Sequence, residues 1–98
     1  MGSFSIENFD EFFKAILKLK SVEDCRKFFE DVCTIKEMQD VTQRLEVASL
    51  LMQGNNYQDV SKKTGASTAT ISRVNKCLMY GNGGYKLVIA ENTDKADK

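Results

Sequence analysis

Apolar side chains recur three and four positions apart from Phe9 to Leu78, and no proline interrupts them anywhere in the 98 residues. Strands would show alternation with a period of two, and loops would show no period at all. The expected fold is therefore all-α. The length suits one domain spanning residues 1–98, able to bury a modest core without disulfide or metal support. With 42% hydrophobic and 29% charged residues, the composition argues against wholesale disorder.

Capping residues divide this pattern into helices. Ser3 or Ser5 can open a first helix carrying Phe9, Phe12, Phe13, Ile16 and Leu17 on one side. Ser21 with Asp24 resembles a capping box ahead of Cys25, Phe28, Phe29, Val32 and Cys33. Thr34 with Glu37 opens the longest helix, which should end near Gln53 because Gly54 follows. That helix carries two apolar stripes, one of Met38, Val41, Leu45, Ala48 and Met52, the other of Val47, Leu50 and Leu51. A helix apolar on two sides is central, and so short a chain has few elements to cover both. Part of the cover is expected from a second subunit.

Asn56 should cap a short helix over 57–64, with Gly65 placed for a left-handed turn. Ser67 should cap the next helix, which runs to about Tyr80, and GNGG at 81–84 breaks it. Tyr85 to Glu91 is expected to form a last short helix, and the charged segment at about 91–98 a flexible tail. Whether the leading Met1-Gly2-Ser3 is native is left open by the sequence.

Charge is distributed unevenly although the formal total is zero. Residues 1–50 hold seven basic and ten acidic side chains, and residues 51–98 hold seven and four, so the halves carry −3 and +3. Between Tyr57 and Lys86, five basic residues face only Asp59. A solvated face would explain the charge alone, but a polyanion partner also fits it. Cys25, Cys33 and Cys77 show no metal-binding spacing and the chain has no histidine. Neither a metal site nor a cofactor is expected, and the three thiols are expected free and buried. No acidic pair, phosphate loop or nucleophile–base arrangement suggests an enzyme. No signal-like start or membrane-length apolar run is present, so the expected setting is the cytoplasm.

The segment YQDVSKKTGASTATISRVNKCL, within a helix-turn-helix expected at about 57–80, carries the functional signal. Val60, Ala66, Ile71, Val74 and Leu78 occupy the inward positions of such a motif around the turn at Gly65. At about 100° per residue, Ser67, Thr68, Ala69, Ser72, Arg73 and Lys76 fall on the opposite side. A recognition helix must enter a major groove about 12 Å wide, and small side chains at its tip permit close approach. Thr68 and Ala69 can meet a thymine methyl or a bridging water. Thr70 and the amides near Ser67 suit phosphate oxygens. Arg73 suits a guanine edge or a phosphate, and Lys76 the backbone. Gln58, Lys62 and Lys63 lie where the first helix of the motif would cross the sugar-phosphate chain.

The helix order, the T-x-x-E start at Thr34, and the QRLEVASLLMQG, GASTATISR and YGNGGYKL segments resemble the Trp repressor superfamily, in particular its YerC/YecD-type relatives. The resemblance covers about residues 5–90. It implies a Trp repressor-like helical domain, an intertwined homodimer built on the first three helices and the last, and two DNA-reading heads that bind palindromic operators. It also aligns Arg44 and Arg73 with the arginines that sandwich the indole of tryptophan, and Thr34 with a threonine near its amino group. The residue after the second arginine departs from that pattern. A glycine leaves room for the indole in the Trp repressor, whereas Val74 stands here. A valine in that space is overpacked against the ligand, so tryptophan is not the expected effector, and a salt bridge or a phosphate contact is the preferred role for Arg44. The combined expectation is a homodimeric, sequence-specific double-stranded DNA-binding protein that regulates transcription. The alternative is a helix-turn-helix module that binds protein and not specific DNA.

Overall fold

The structure, a computed structural model, describes residues 8–89. Six helices follow one another: α1 (Asp10–Ile16), α2 (Val22–Val32), α3 (Ile35–Met52), α4 (Tyr57–Thr64), α5 (Thr68–Tyr80) and α6 (Gly84–Val88). No strand occurs among the described residues, as the periodicity requires. The candidate caps Ser3 and Ser5 and the expected tail at 91–98 lie outside them. The chain divides into two compact units, residues 1–36 and 37–98.

In the first unit, α1 begins at Asp10, where the Asn8 side-chain oxygen accepts a hydrogen bond from the Asp10 amide at 3.0 Å. Phe9, expected inside the helix, precedes it. Ser21 caps α2 as expected, its hydroxyl accepting from the Asp24 amide at 3.0 Å. The Asp24 carboxylate returns to the Lys20 amide at 3.1 Å, one residue earlier than a capping box requires. Phe12 of α1 meets Phe28 of α2 with ring centroids 6.4 Å apart, and Phe28 meets Phe29 edge to face at 5.0 Å. None of the described residues of α1 or α2 is fully buried.

The second unit holds the core. Val47 and Ala48 of α3, Val60 of α4, Ala66 of the turn, and Ile71 and Val74 of α5 are buried together. Leu50, Leu51, Leu78, Tyr85 and Ile89 pack against them. The core thus takes the second apolar stripe of α3 together with Ala48, while Val41 of the first stripe stays 49% exposed. The end of α3 closes as a Schellman motif: Gly54, at φ 95°, donates its amide to the Leu51 carbonyl, and the Asn55 amide donates to that of Leu50.

Asn56 accepts from the Asp59 amide at 2.9 Å and Ser67 from the Thr70 amide at 3.1 Å, so α4 and α5 start where their caps place them. Gly65 between them has φ 75°. α6 ends at Val88, with Ile89 extended, which is shorter than the expected run to Glu91. The thiols correct another expectation. Cys25 and Cys77 are exposed and Cys33 is half-buried, because no described residue of α2 is buried and Cys77 is not on the side of α5 that carries Ile71 and Val74.

These caps set the expected losses. Asn56→Ala and Ser67→Ala should each remove about 1 kcal/mol of stability. Gly65→Ala should remove about 1–2 kcal/mol through the left-handed backbone alone, since no heavy atom lies within 4 Å of the added Cβ. Urea midpoints of the full chain at one protein concentration, with unchanged slopes, check all three.

Candidate nucleic-acid interface

α5 divides between two sides up to Leu78, and its last turn leaves Met79 and Tyr80 61% and 79% exposed. Ile71 is fully buried and Val74 is 1% exposed, while Leu78 continues the same side half-buried. Ser67, Thr68, Ala69, Arg73 and Lys76 are exposed, and Thr70 and Ser72 are half-buried. The outward side is therefore slim at its N-terminal end, where only hydroxyls and a methyl project, and cationic further along. The Ser67 hydroxyl donates to the Thr70 hydroxyl at 3.2 Å, which leaves the Thr70 proton for an outside acceptor. α5 has no acidic residue in its first turn, so its N-terminal partial positive charge is not offset there.

α4 contributes the neighbouring charges. Gln58, Lys62 and Lys63 are all exposed. The Lys63 ammonium donates to the Asn55 side-chain oxygen at 3.4 Å. Lys62, Arg73 and Lys76 form no ion pair or hydrogen bond through their side chains among the described residues. A depression of about 460 Å³ joins the two helices and is lined by Tyr57, Gln58, Ser61, Lys62 and Thr68. The structure thus gathers Gln58, Lys62 and Thr68 into one place, and adds Tyr57 and Ser61. Positive charge and small size on the outward side of α5 do not single out those two. The aromatic directly after the cap Asn56 is the feature that points to Tyr57.

The residues aligned with a tryptophan site are placed as follows within one chain. Arg44 is half-buried and lines an open cleft of about 510 Å³ with Val41, Leu45, Cys77, Tyr85 and Val88. Arg73 is exposed and does not line that cleft. Thr34 belongs to the first compact unit. Of the two roles preferred for Arg44, a salt bridge or a phosphate contact, the salt bridge is not formed among the described residues; the other side chains lining the cleft are apolar or neutral. Val74 sits in the core and not beside a vacant space, as its sequence position suggested. Among the described residues no cluster of three or more histidine, cysteine or acidic side chains could hold a metal ion. None of the described helices is long and apolar enough to cross a membrane.

Comparison with known proteins places this geometry. The Trp repressor protein family matches residues 7–93. The uncharacterized protein YerC of Bacillus subtilis (strain 168) is 54% identical over 80 residues, covering 82% of this chain and 77% of that protein. The crystal structure of a TrpR-like protein from Eubacterium eligens ATCC 27750 superposes with a TM-score of 0.78 at 54% identity, covering 81% of each chain. A candidate Trp repressor from Staphylococcus aureus superposes with a TM-score of 0.79 at 42% identity, over 97% of this chain and 96% of its own. The chain belongs to the Trp repressor family.

The glycines beside the cleft make opposite predictions. A Cβ on Gly81 would stand 2.5 Å from the Cys77 carbonyl oxygen, so Gly81→Ala should destabilise the chain by about 1–3 kcal/mol as the end of α5 shifts. Gly84 meets nothing within 4 Å, so Gly84→Ala should stabilise α6 by up to about 1 kcal/mol. Urea unfolding of both variants reads the contrast in sign.

Proposed function

We propose that this protein is a sequence-specific double-stranded DNA-binding regulator of transcription that acts in the cytoplasm as a homodimer. In this reading α4 and α5 are a helix-turn-helix and α5 enters the major groove. The observation that carries it is the two-sidedness of α5 up to Leu78: Ile71, Val74 and Leu78 face the core, and the opposite side is slim at the tip and basic behind. Gln58, Lys62, Lys63 and Lys76 hold the phosphate backbone, together with Thr70 and the amides after Ser67. Thr68, Ala69, Ser72 and Arg73 face the base edges.

The dimer reading is supported by apolar surface that a lone chain leaves wet. Leu17, Val22 and Ile35 of the first unit are 81%, 74% and 77% exposed. Leu87 and Val88 of the second are 86% and 71% exposed. Extensive apolar surface of this kind marks an interface. An intertwined pair built on α1–α3 and α6 would cover it and present two α5 tips about 34 Å apart, one helical turn of duplex.

Tryptophan is not the effector in this reading. Val74 occupies the position where the family's tryptophan-binding site requires glycine, and it is already packed among Val47, Val60 and Ile71.

Selection from a random oligonucleotide pool should recover a palindrome, retained by a species of twice the chain mass in sedimentation. Lys62→Ala and Lys76→Ala should weaken every duplex alike and lower the log–log salt slope by about one unit each. Thr68→Val and Ala69→Ser should instead change the order of preference among sequences. Unchanged affinity and slope in all four would remove this face from DNA, and indifference to every duplex would favour a protein-binding module. Calorimetry should show no saturable tryptophan binding to the wild-type chain.

A further inference from the structure

The depression between the first turn of α4 and the start of α5 has a lining of uniform chemistry. Tyr57, Gln58, Ser61, Lys62 and Thr68 each carry a hydrogen-bond donor, one is a cation, and none is an acid. Asp59 lies in the same turn of α4 but is not among the lining side chains. The Ser61 hydroxyl is committed to the Ala66 carbonyl at 2.9 Å. The side chains of Tyr57, Gln58, Lys62 and Thr68 make no hydrogen bond among the described residues. Four unengaged donors around one recess, with one positive charge and no negative charge, suit a singly charged anion with several acceptor oxygens. A phosphodiester has that chemistry.

We infer that this recess seats a single backbone phosphate of the bound duplex in each half-site, with the Tyr57 phenol as a positioning donor and Lys62 as the countercharge. The inference rests on the DNA-binding reading above and adds to it a residue outside the basic and small-residue face. Tyr57 suits the role because a phenol has few rotatable bonds, so little ordering entropy is lost when it donates. The residue is 37% exposed, so the hydroxyl can be removed without opening the core. Thr68 belongs both to this recess and to the tip of α5. A phosphate held here therefore sets how far and in what register that tip enters the groove.

Tyr57→Phe tests the phenol alone, using the full chain and the duplex that the wild-type protein selects from a random pool. Loss of one charge-assisted hydrogen bond per half-site should weaken binding by about tenfold or more. The phenol is neutral, so the salt slope should stay at the wild-type value, whereas Lys62→Ala lowers it. Duplexes with methylphosphonate replacing one phosphate at a time provide a second readout. One position per half-site should weaken the wild-type protein more than Tyr57→Phe, which keeps only the Lys62 share of that contact, with all other positions affecting both proteins equally. Circular dichroism and the urea midpoint should be unchanged, which separates positioning from folding. If Tyr57→Phe binds as wild type while Tyr57→Ala fails, the ring packs and the phenol does not donate, and the inference is overturned. Identical methylphosphonate sensitivity in wild type and Tyr57→Phe would overturn it as well. Either result leaves the DNA-binding reading intact. A wild-type chain that retains no duplex at low salt would remove that reading and this one together.

Discussion

The direction in which α5 leaves α4 depends on a turn whose polar groups are paired within a few residues. Gly65 takes the left-handed conformation at φ 75°, which reverses the chain without a Cβ clash. Ala66 then enters the core at 2% exposure, and its backbone goes with it. Its amide donates to the Thr64 hydroxyl at 3.1 Å, and its carbonyl accepts from Ser61 at 2.9 Å. Thr64 in turn donates to the Val60 carbonyl at 2.7 Å, and Gln43 of α3 reaches the Thr64 carbonyl at 3.2 Å. An unpaired amide or carbonyl at that depth would cost about 1–3 kcal/mol. The hydroxyls at 61 and 64 therefore serve the turn and not the surface, and the orientation of every outward residue on α5 follows from them.

α3 is used differently on its two sides. Val47, Ala48, Leu50 and Leu51 serve the core that carries α4 and α5. Val41, Arg44 and Leu45 line the open cleft with the end of α5 and with α6. One helix thus supports α4 and α5 while keeping apolar surface uncovered, and this agrees with the proposed dimer better than with a lone chain. Arg44 lies on the uncovered side without an ionic partner among the described residues, so its charge remains available to whatever closes that cleft.

Local chemistry was the legible part of this sequence. Ser21, Asn56 and Ser67 cap helices where they stand because their side chains act within three residues. Gly54 and Gly65 end helices because no other residue takes positive φ as readily. Ile71, Val74 and Leu78 could be assigned to the core because their spacing allows one inward side. What escaped depends on distant partners. Cysteine is a small apolar residue often found inside, yet Cys25 and Cys77 are exposed, since burial is decided by the neighbouring elements and not by residue type. Of the two roles preferred for Arg44, an ion pair would need an acid nearby, and none lines its cleft. Tyr57 is neither charged nor small, so neither signal reaches it, although it joins Lys62 and Thr68 around one recess.

Val74 connects the packing of α5 to how its proposed binding would be controlled. Where a glycine occupies this position, a ligand can fill the space and change how the helix is held. Here the valine is itself part of the core, with 1% exposure, and it fixes α5 against α3 and α4 without help from a small molecule. On the DNA-binding reading, the recognition face of each subunit is therefore assembled as soon as the subunit folds. On the same reading, two steps outside the core remain open to control. The pairing of two copies depends on concentration, and the release of counterions from the duplex depends on salt. On that reading, occupancy of a duplex would follow the amount of dimer present.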